Sequence, residues 1–384
     1  MAENPLSFIT TPGEPPYFGK SKRLASLDAF RGFTIVGMIL VNSPGDWDVA
    51  YTPLQHAAWN GLTFADVIFP FFLFIVGVSI VLAYTRRVRE KLPRRKIVLK
   101  IVQRTLLIFA IGLLLNMGQD GFQHVRITGV LQRIAIVFFA GVLLFMYTGL
   151  RTQIIVGASI LVIYWLALWL IPAPGIGAGI LEPGRNLTAW VDSILLPGRM
   201  FQETWDPEGI LSTFPAIATG ISGLLAGRIL ISQNTPEKKL VILFALGFLL
   251  FLGGGIWNWA FPLNKNLWTS SFVLVTSGLA MMALAGFIWV VDMLEYKRWC
   301  HVFVIFGTNA ITAYVLHGLL KAPFVLINTG EPGETLNIMG AFMNSATGLG
   351  LPDRLASLIW ALLFTSFCFV PVWLLYRKKI FIRV

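Results

Sequence analysis

His56 and Asp66, ten residues apart, are the first pair in this sequence with the types and spacing for acid–base chemistry. Both lie in QHAAWNGLTFADVIFPFFLFIVG, Gln55–Gly77, which opens polar and closes in a Phe-rich apolar run. A carboxylate bonded to one imidazole nitrogen orients the ring and makes the other nitrogen a better base, which suits proton removal from an attacking group. A carboxylate carried near a bilayer centre costs about 2.5–3.5 kcal/mol on insertion scales. Asp66 therefore reads as functional, unless it only caps its helix or bonds a neighbouring one.

Further polar groups fall inside apolar stretches. LDAFRG opens the first of them and ILVNS closes it, placing Asp28 and Arg31 at one end and Asn42 at the other. Asp28 and Arg31 stand at i, i+3 and can pair on one helix face. Lys100 and Arg104 stand at i, i+4, and Arg133 follows Gln132 well inside RITGVLQRIA. Arginine and lysine at these places suit an anionic ligand such as phosphate, although long side chains also snorkel to the interface. Of the other histidines, His124 and His301 read as structural, and His317 in FGTNAITAYVLHG is evenly balanced between structure and function. No serine-nucleophile motif, HExxH or GxxxxGK[ST] occurs, so metal or nucleotide hydrolysis is unsupported. Two chemistries fit: group transfer across the bilayer from an anionic donor to a site served by His56, or transport in which Asp66, Arg104 and Arg133 bind solute or relay protons.

The elements that position these residues are membrane helices. The 384 residues are 56% hydrophobic and 13% charged, far from the 45–50% and about 25% of soluble domains. An all-α polytopic bundle is expected, with ten apolar segments near Leu27–Ser43, Thr63–Tyr84, Ile97–Leu115, Gly129–Tyr147, Gln153–Ile171, Ile210–Ile231, Leu240–Ala260, Phe272–Val291, Val302–Leu320 and Leu355–Tyr376. With both termini inside, cytoplasmic loops hold most of the 30 Lys and Arg, including RRVREKLPRRK. The outer loops hold only Arg126, Arg185, Arg199, Lys265, Lys321 and Arg354. That asymmetry obeys the positive-inside rule and accounts for most of the net charge of +11 without nucleic acid. Residues 1–22 read as a polar cytoplasmic tail without a signal-peptide core, so the first span is expected to act as the targeting signal. Residues 23–384 read as one transmembrane domain whose long outer loops, about 172–209 and 321–354, suit a lid or binding wall. Cys300 and Cys368 suggest neither a disulfide framework nor a metal site.

RLASLDAFRGFTIVGMILVN followed by QHAAWNGLTFADVIFPFFLFIVG resembles the heparan-α-glucosaminide N-acetyltransferase family and its bacterial NagX-like relatives. RITGVLQRIAI, DPEGILSTFPAI, PLNKNLWTSSFVL, GTNAITAYVLH and YRKKIF follow in family order, from about Arg23 to Ile380. The resemblance implies a transmembrane acyltransferase of the ten-span bacterial form in the inner membrane. It would move acetyl from cytosolic acetyl-CoA to the amine of a glucosamine-type sugar on the far side, without a metal. His56 maps onto the family's catalytic histidine, Asn42 onto the asparagine that ends the first span, and Asp66 onto the helix-borne aspartate. The implied donor gives Arg31, Lys100, Arg104 and Arg133 a role with the CoA. The implied acceptor gives one to Asp206, Glu208, Asn264, Lys265, Trp59, Asn60 and His317, with helix capping an equal reading for Asp206 and Glu208. A homodimer is also implied, though no stretch of the sequence shows one. An O-acyltransferase of a cell-envelope sugar would share the donor.

Overall fold

The computed structural model describes residues 24–89, 93–120, 125–327 and 337–382. In chain order the helices are α1 (Ala25–Asn42), α2 (Phe64–Arg89), α3 (Arg94–Asp120), α4 (Val130–Tyr147) and α5 (Leu150–Leu170). The hairpin β1 (Leu181–Glu182) and β2 (Arg185–Asn186) then precedes α6 (Leu187–Leu195), α7 (Ile210–Ile231), α8 (Pro236–Trp257) and α9 (Ser270–Phe287). The last four helices are α10 (His301–Thr308), α11 (Ala310–Leu326), α12 (Ile338–Gly348) and α13 (Asp353–Arg377). Nine described helices are long and apolar enough to cross a membrane, and α10 with α11 form a pair that passes the same test together but is bent by 87°, a broken span or a re-entrant loop. The protein is thus an all-α polytopic membrane protein.

The bend corrects the unbroken span expected over Val302–Leu320. Asn309 has φ −127° and ψ 43°, outside the helical region. Its carboxamide is committed elsewhere: Nδ2 donates to Ile380 O at 3.1 Å and Oδ1 accepts from Ile382 N at 3.0 Å. A helix break inside an apolar segment is tolerated where protein groups, rather than lipid, satisfy the released backbone. The described parts of the two long connecting segments also hold regular structure. Residues 172–209 hold the hairpin and α6, whose N-cap Asn186 accepts from Ala189 N at 2.9 Å. Lys321 lies within α11 rather than in the following loop, and α12 occupies part of 337–354.

The chain divides into two compact units. One comprises Pro70–Trp289 together with the three residues Trp59–Gly61. Within it α2 and α7 approach so closely that a Cβ on Gly77 would overlap Gly220 O, and one on Gly223 would overlap Phe74 O. Glycine is required there because two backbones touch. Below that crossing, Ile80, Val81, Tyr84, Phe138, Val142, Phe145 and Leu224 form a buried apolar cluster. In α8, 17% of the spanning window is buried, against 78% in α2, so α8 turns most of its surface outward from the chain.

The other unit comprises Ala25–Ala58, Leu62–Phe69 and the chain from Val290 onward. Here α1 packs on α10 through a second glycine contact, where a Cβ on Gly32 would overlap Phe303 O and one on Gly307 would overlap Asp28 O. The start of α2 rests on α1 through Phe64 against Phe33, ring centroids 6.1 Å apart, and Ile68 over Gly37. Met343, Ala346 and Ala356 form a small apolar cluster of α12 and α13.

Candidate active site

Thr63 precedes α2 and Asp66 lies in the helix's first turn. Asp66 Oδ2 accepts from Thr63 N at 3.0 Å and from Ala57 N at 3.1 Å, with the Thr63 hydroxyl also 3.0 Å away. A carboxylate reaching back to the N-cap amide completes a capping arrangement and meets the positive end of the helix dipole. Asp66 sits at the helix entrance, where these bonds and the helix dipole offset the cost of burying its carboxylate. Its other oxygen, Oδ1, lies 2.8 Å from His56 Nδ1. Asp66 is 1% exposed and the imidazole 35%, so a buried anchor holds a ring that reaches the surface. With Nδ1–H donating to the carboxylate, Nε2 carries the lone pair. Asp66 both caps and orients, so the two sequence readings are realised together.

The same unit holds Asn42, the last residue of α1, whose carboxamide makes no hydrogen bond to another described residue. Its backbone oxygen accepts from Lys321 Nζ at 2.7 Å, and the next residue, Ser43, meets His317 Nε2 at 2.9 Å. At the other end of α1, Arg31 Nη1 is 3.4 Å from Asp28 Oδ1 and donates to Gly307 O at 3.3 Å. Arg31 and Asn42 are separated by about 17 Å of helix rise. His301 packs edge-on against Tyr376, and His124 lies outside the described residues.

In the larger unit, Arg126 organises a buried ion cluster. Its Nε and Nη2 grip Asp206 at 2.7 and 2.6 Å, and Nη2 also reaches Glu208 at 2.5 Å. Asp206 accepts further bonds from Thr128 Oγ1, Phe201 N and Glu208 N. Burial alone would raise the Asp206 carboxyl, but the bonds and charge of Arg126 outweigh it and hold it below the usual carboxylate range. Arg126 is pushed above its ordinary value, the Asp206 and Glu208 interactions overcoming the opposite effect of burial. With both oxygens so occupied, Asp206 is fixed in place, and Glu208 is tied to the same guanidinium.

Trp59, Asn60 and Asn264 come together in this unit. Trp59 Nε1 donates to Leu181 O at 2.7 Å, its ring meeting Trp205 edge-on at 5.1 Å. Asn264 Nδ2 donates to Asn60 Oδ1 at 3.0 Å, and Gly61 N to Leu263 O at 2.8 Å. Lys265 belongs to the same turn, its carbonyl accepting from Trp268 N.

Of the four cations expected around the donor, the three in the larger unit fall at two places. Lys100 and Arg104 occupy the start of α3, with Arg104 over the Phe138 ring at 4.7 Å. Arg133 is in the first turn of α4, where neighbouring Gln132 faces Gly112 of α3, about 18 Å of helix rise from Lys100. Arg133 instead donates from Nη2 to Ser212 Oγ at 2.5 Å and lies over the Trp268 ring at 5.0 Å. Arg31 belongs to the other unit. Sequence reasoning missed Arg126, Ser43 and Lys321 as site elements. Arg126 stood within the quoted RITGVLQR motif, but its partners lie 80 residues away. Among the described residues no His, Cys, Asp and Glu group could hold a metal ion.

Residues 23–254 match the family model described as heparan-alpha-glucosaminide N-acetyltransferase, catalytic. The chain is 29% identical to the mouse heparan-alpha-glucosaminide N-acetyltransferase over 95% of its own length and 61% of the relative's. For the human protein of that name the figures are 30%, 94% and 60%. The chain thus spans about three fifths of the length of the curated relatives it matches. With the model covering more than half of the chain, and the histidine, asparagine and aspartate motifs inside the matched residues, the protein belongs to the heparan-alpha-glucosaminide N-acetyltransferase catalytic family.

Proposed function

We propose that this protein is a transmembrane N-acetyltransferase that moves acetyl from cytosolic acetyl-CoA to the amine of a glucosamine-type sugar across the membrane. The observation that carries the reading is the His56 Nδ1–Asp66 Oδ1 bond of 2.8 Å, made by a buried, helix-capping carboxylate to a surface-reaching imidazole. In the direct route, His56 Nε2 takes the proton of the acceptor ammonium, and the amine nitrogen attacks the thioester carbonyl carbon. The C–S bond then breaks and the CoA thiolate leaves, taking up a proton. In the two-step route Nε2 itself attacks, CoA leaves, and the acetyl-imidazole passes its acetyl to the amine. Asp66 fixes the ring and stabilises its cation in either route, and Asn42 donates its amide N–H to the carbonyl oxygen as charge develops.

The inner-end cations are assigned to the donor's phosphates, Arg31 first and Lys100 and Arg104 as a separate set. Arg133, bonded to Ser212 near the start of α7, is reassigned from donor binding to supporting the acceptor-side loops. Trp59, Asn60, Asn264 and Lys265 of the larger unit are assigned to the acceptor, with Asp206 and Glu208 held by Arg126 in the same unit; His317, also expected on the acceptor, belongs to the other unit. We read both termini as cytoplasmic, in a bacterial inner membrane, and the Lys and Arg asymmetry of the loops supports that orientation.

The test is transfer from labelled acetyl-CoA to glucosamine by the purified protein, wild type beside His56→Ala and Asp66→Asn. His56→Ala is expected to lose about 10²–10⁴-fold in rate, the usual worth of a positioned general base, while still binding CoA. Undiminished product from His56→Ala would remove the mechanism and leave the class. No product over a panel of amino sugars, with folded protein and no CoA binding, would favour a solute carrier.

A further inference from the structure

α1 ends in an unusual way. The last carbonyls of a helix have no intrahelical partner, and most chains satisfy them with a glycine turn or water. Here the end of α1 is held from a second helix by charged and polar side chains. Lys321 Nζ donates to Asn42 O at 2.7 Å and stands 5.8 Å from the Trp47 ring centroid. His317 Nε2 is 2.9 Å from Ser43 Oγ, both side chains buried, with the imidazole edge-on to Phe364 at 5.9 Å. Positions 317 and 321 are i, i+4 and share a face of α11, so one helix face grips two successive residues. The chain beyond is pinned as well: Gly45 N donates to Ser357 O at 3.3 Å and Asp46 N to Ser357 Oγ at 3.1 Å. Within this frame the Asn42 carboxamide makes no hydrogen bond among the described residues.

We propose that Lys321 and His317 are positioning residues that fix the Asn42 carboxamide for the carbonyl of the transferred acetyl group. This rests on the reading that Asn42 donates to that carbonyl. A donor aimed at developing charge is worth about 10²–10³-fold in kcat, and a misplacement of about 1 Å can cost 10²-fold. The Lys321 ammonium also places positive charge at the α1 C-terminus, where the helix dipole favours it, so the grip is strong without occupying the carboxamide.

The experiment is steady-state acetyl transfer from acetyl-CoA to glucosamine by the full chain, read as separate kcat and KM, for Lys321→Met, Lys321→Arg, Ser43→Ala and Asn42→Ala. Lys321→Met is expected to lower kcat by about 10²-fold with the KM for acetyl-CoA nearly unchanged, and Lys321→Arg to recover most of the loss. Ser43→Ala, which deletes one hydroxyl, is expected to lower kcat in the same sense and serves if Lys321→Met does not fold. In an Asn42→Ala background, either substitution should cost nothing more, because each acts through Asn42. Additive losses in that background, or a change confined to KM, would overturn the positioning role. If Asn42→Ala is slow and both Lys321→Met and Ser43→Ala turn over like wild type, the positioning role alone falls. If Asn42→Ala keeps the wild-type kcat, the carbonyl role of Asn42 falls and takes the positioning role with it.

Discussion

A carboxylate with one oxygen on an imidazole and the other on a helix N-terminus cannot rotate without giving up one of them. That makes the His56 ring as rigid as the start of α2, although the ring sits on a loop. Asp192 shows the opposite use of a buried carboxyl. Burial pushes it up to about 7, against the bond from Ile210 N that works the other way. The folded chain keeps a proton that the unfolded chain, titrating near 4, has already released. Its contribution to stability is therefore full below about pH 4, declines as pH rises, and is gone above about 7. Asp192→Asn retains an acceptor for Ile210 N and is expected to flatten the decline in thermal-inactivation temperature between pH 4 and 7. An unaltered slope would mean that another group sets it. At this scale the sequence was legible where partners are close: ten residues separate His56 from Asp66. Ser43 and His317 are 274 apart, and no local pattern announces that a serine after a helix meets a histidine from another.

The helices themselves were legible because a bilayer demands about 20 apolar residues in a row, and nine stretches satisfy it outright. Their crossings were not. Gly77, Gly220 and Gly223 are three of 36 glycines, and only the packed structure shows α2 and α7 meeting at them. Gly77→Ala is expected to destabilise the protein by about 1–3 kcal/mol, as forced overpacking does, read as a lower denaturation temperature in detergent. Gly253→Ala on α8, where a Cβ meets nothing within 4 Å, is the matched control and should be neutral or slightly stabilising. The bend at Asn309 was hidden for a similar reason: FGTNAITAYVLHG is apolar enough to read as one continuous helix, and the bonds from Asn309 to the backbone near Ile380 and Ile382 form only once the chain has folded.

For the molecule as a whole, charge asymmetry carries a directional statement that apolar length does not. With both termini inside, a cysteine placed at Gln55 should react with an impermeant maleimide added to intact cells, and one at Lys378 should react only after the membrane is opened. The reverse pattern would invert the proposed flow from donor to acceptor. The division into two units left no trace in the sequence, because hydropathy reports burial and is silent on which neighbours provide it. Its course along the chain is particular: Ala58, Trp59, Gly61, Leu62, Phe69 and Pro70 mark successive crossings from one unit to the other. Within the larger unit, Trp59 is held by its bond to Leu181 and its contact with Trp205. Recombination between relatives meets this as a constraint. A chimera that exchanges Pro70–Trp289 as a block would separate Trp59 and Asn60 from the hairpin and turn that receive them. The heritable module is therefore Pro70–Trp289 plus a three-residue graft from Trp59 to Gly61, and a gene fragment cut at Pro70 alone would leave that graft behind.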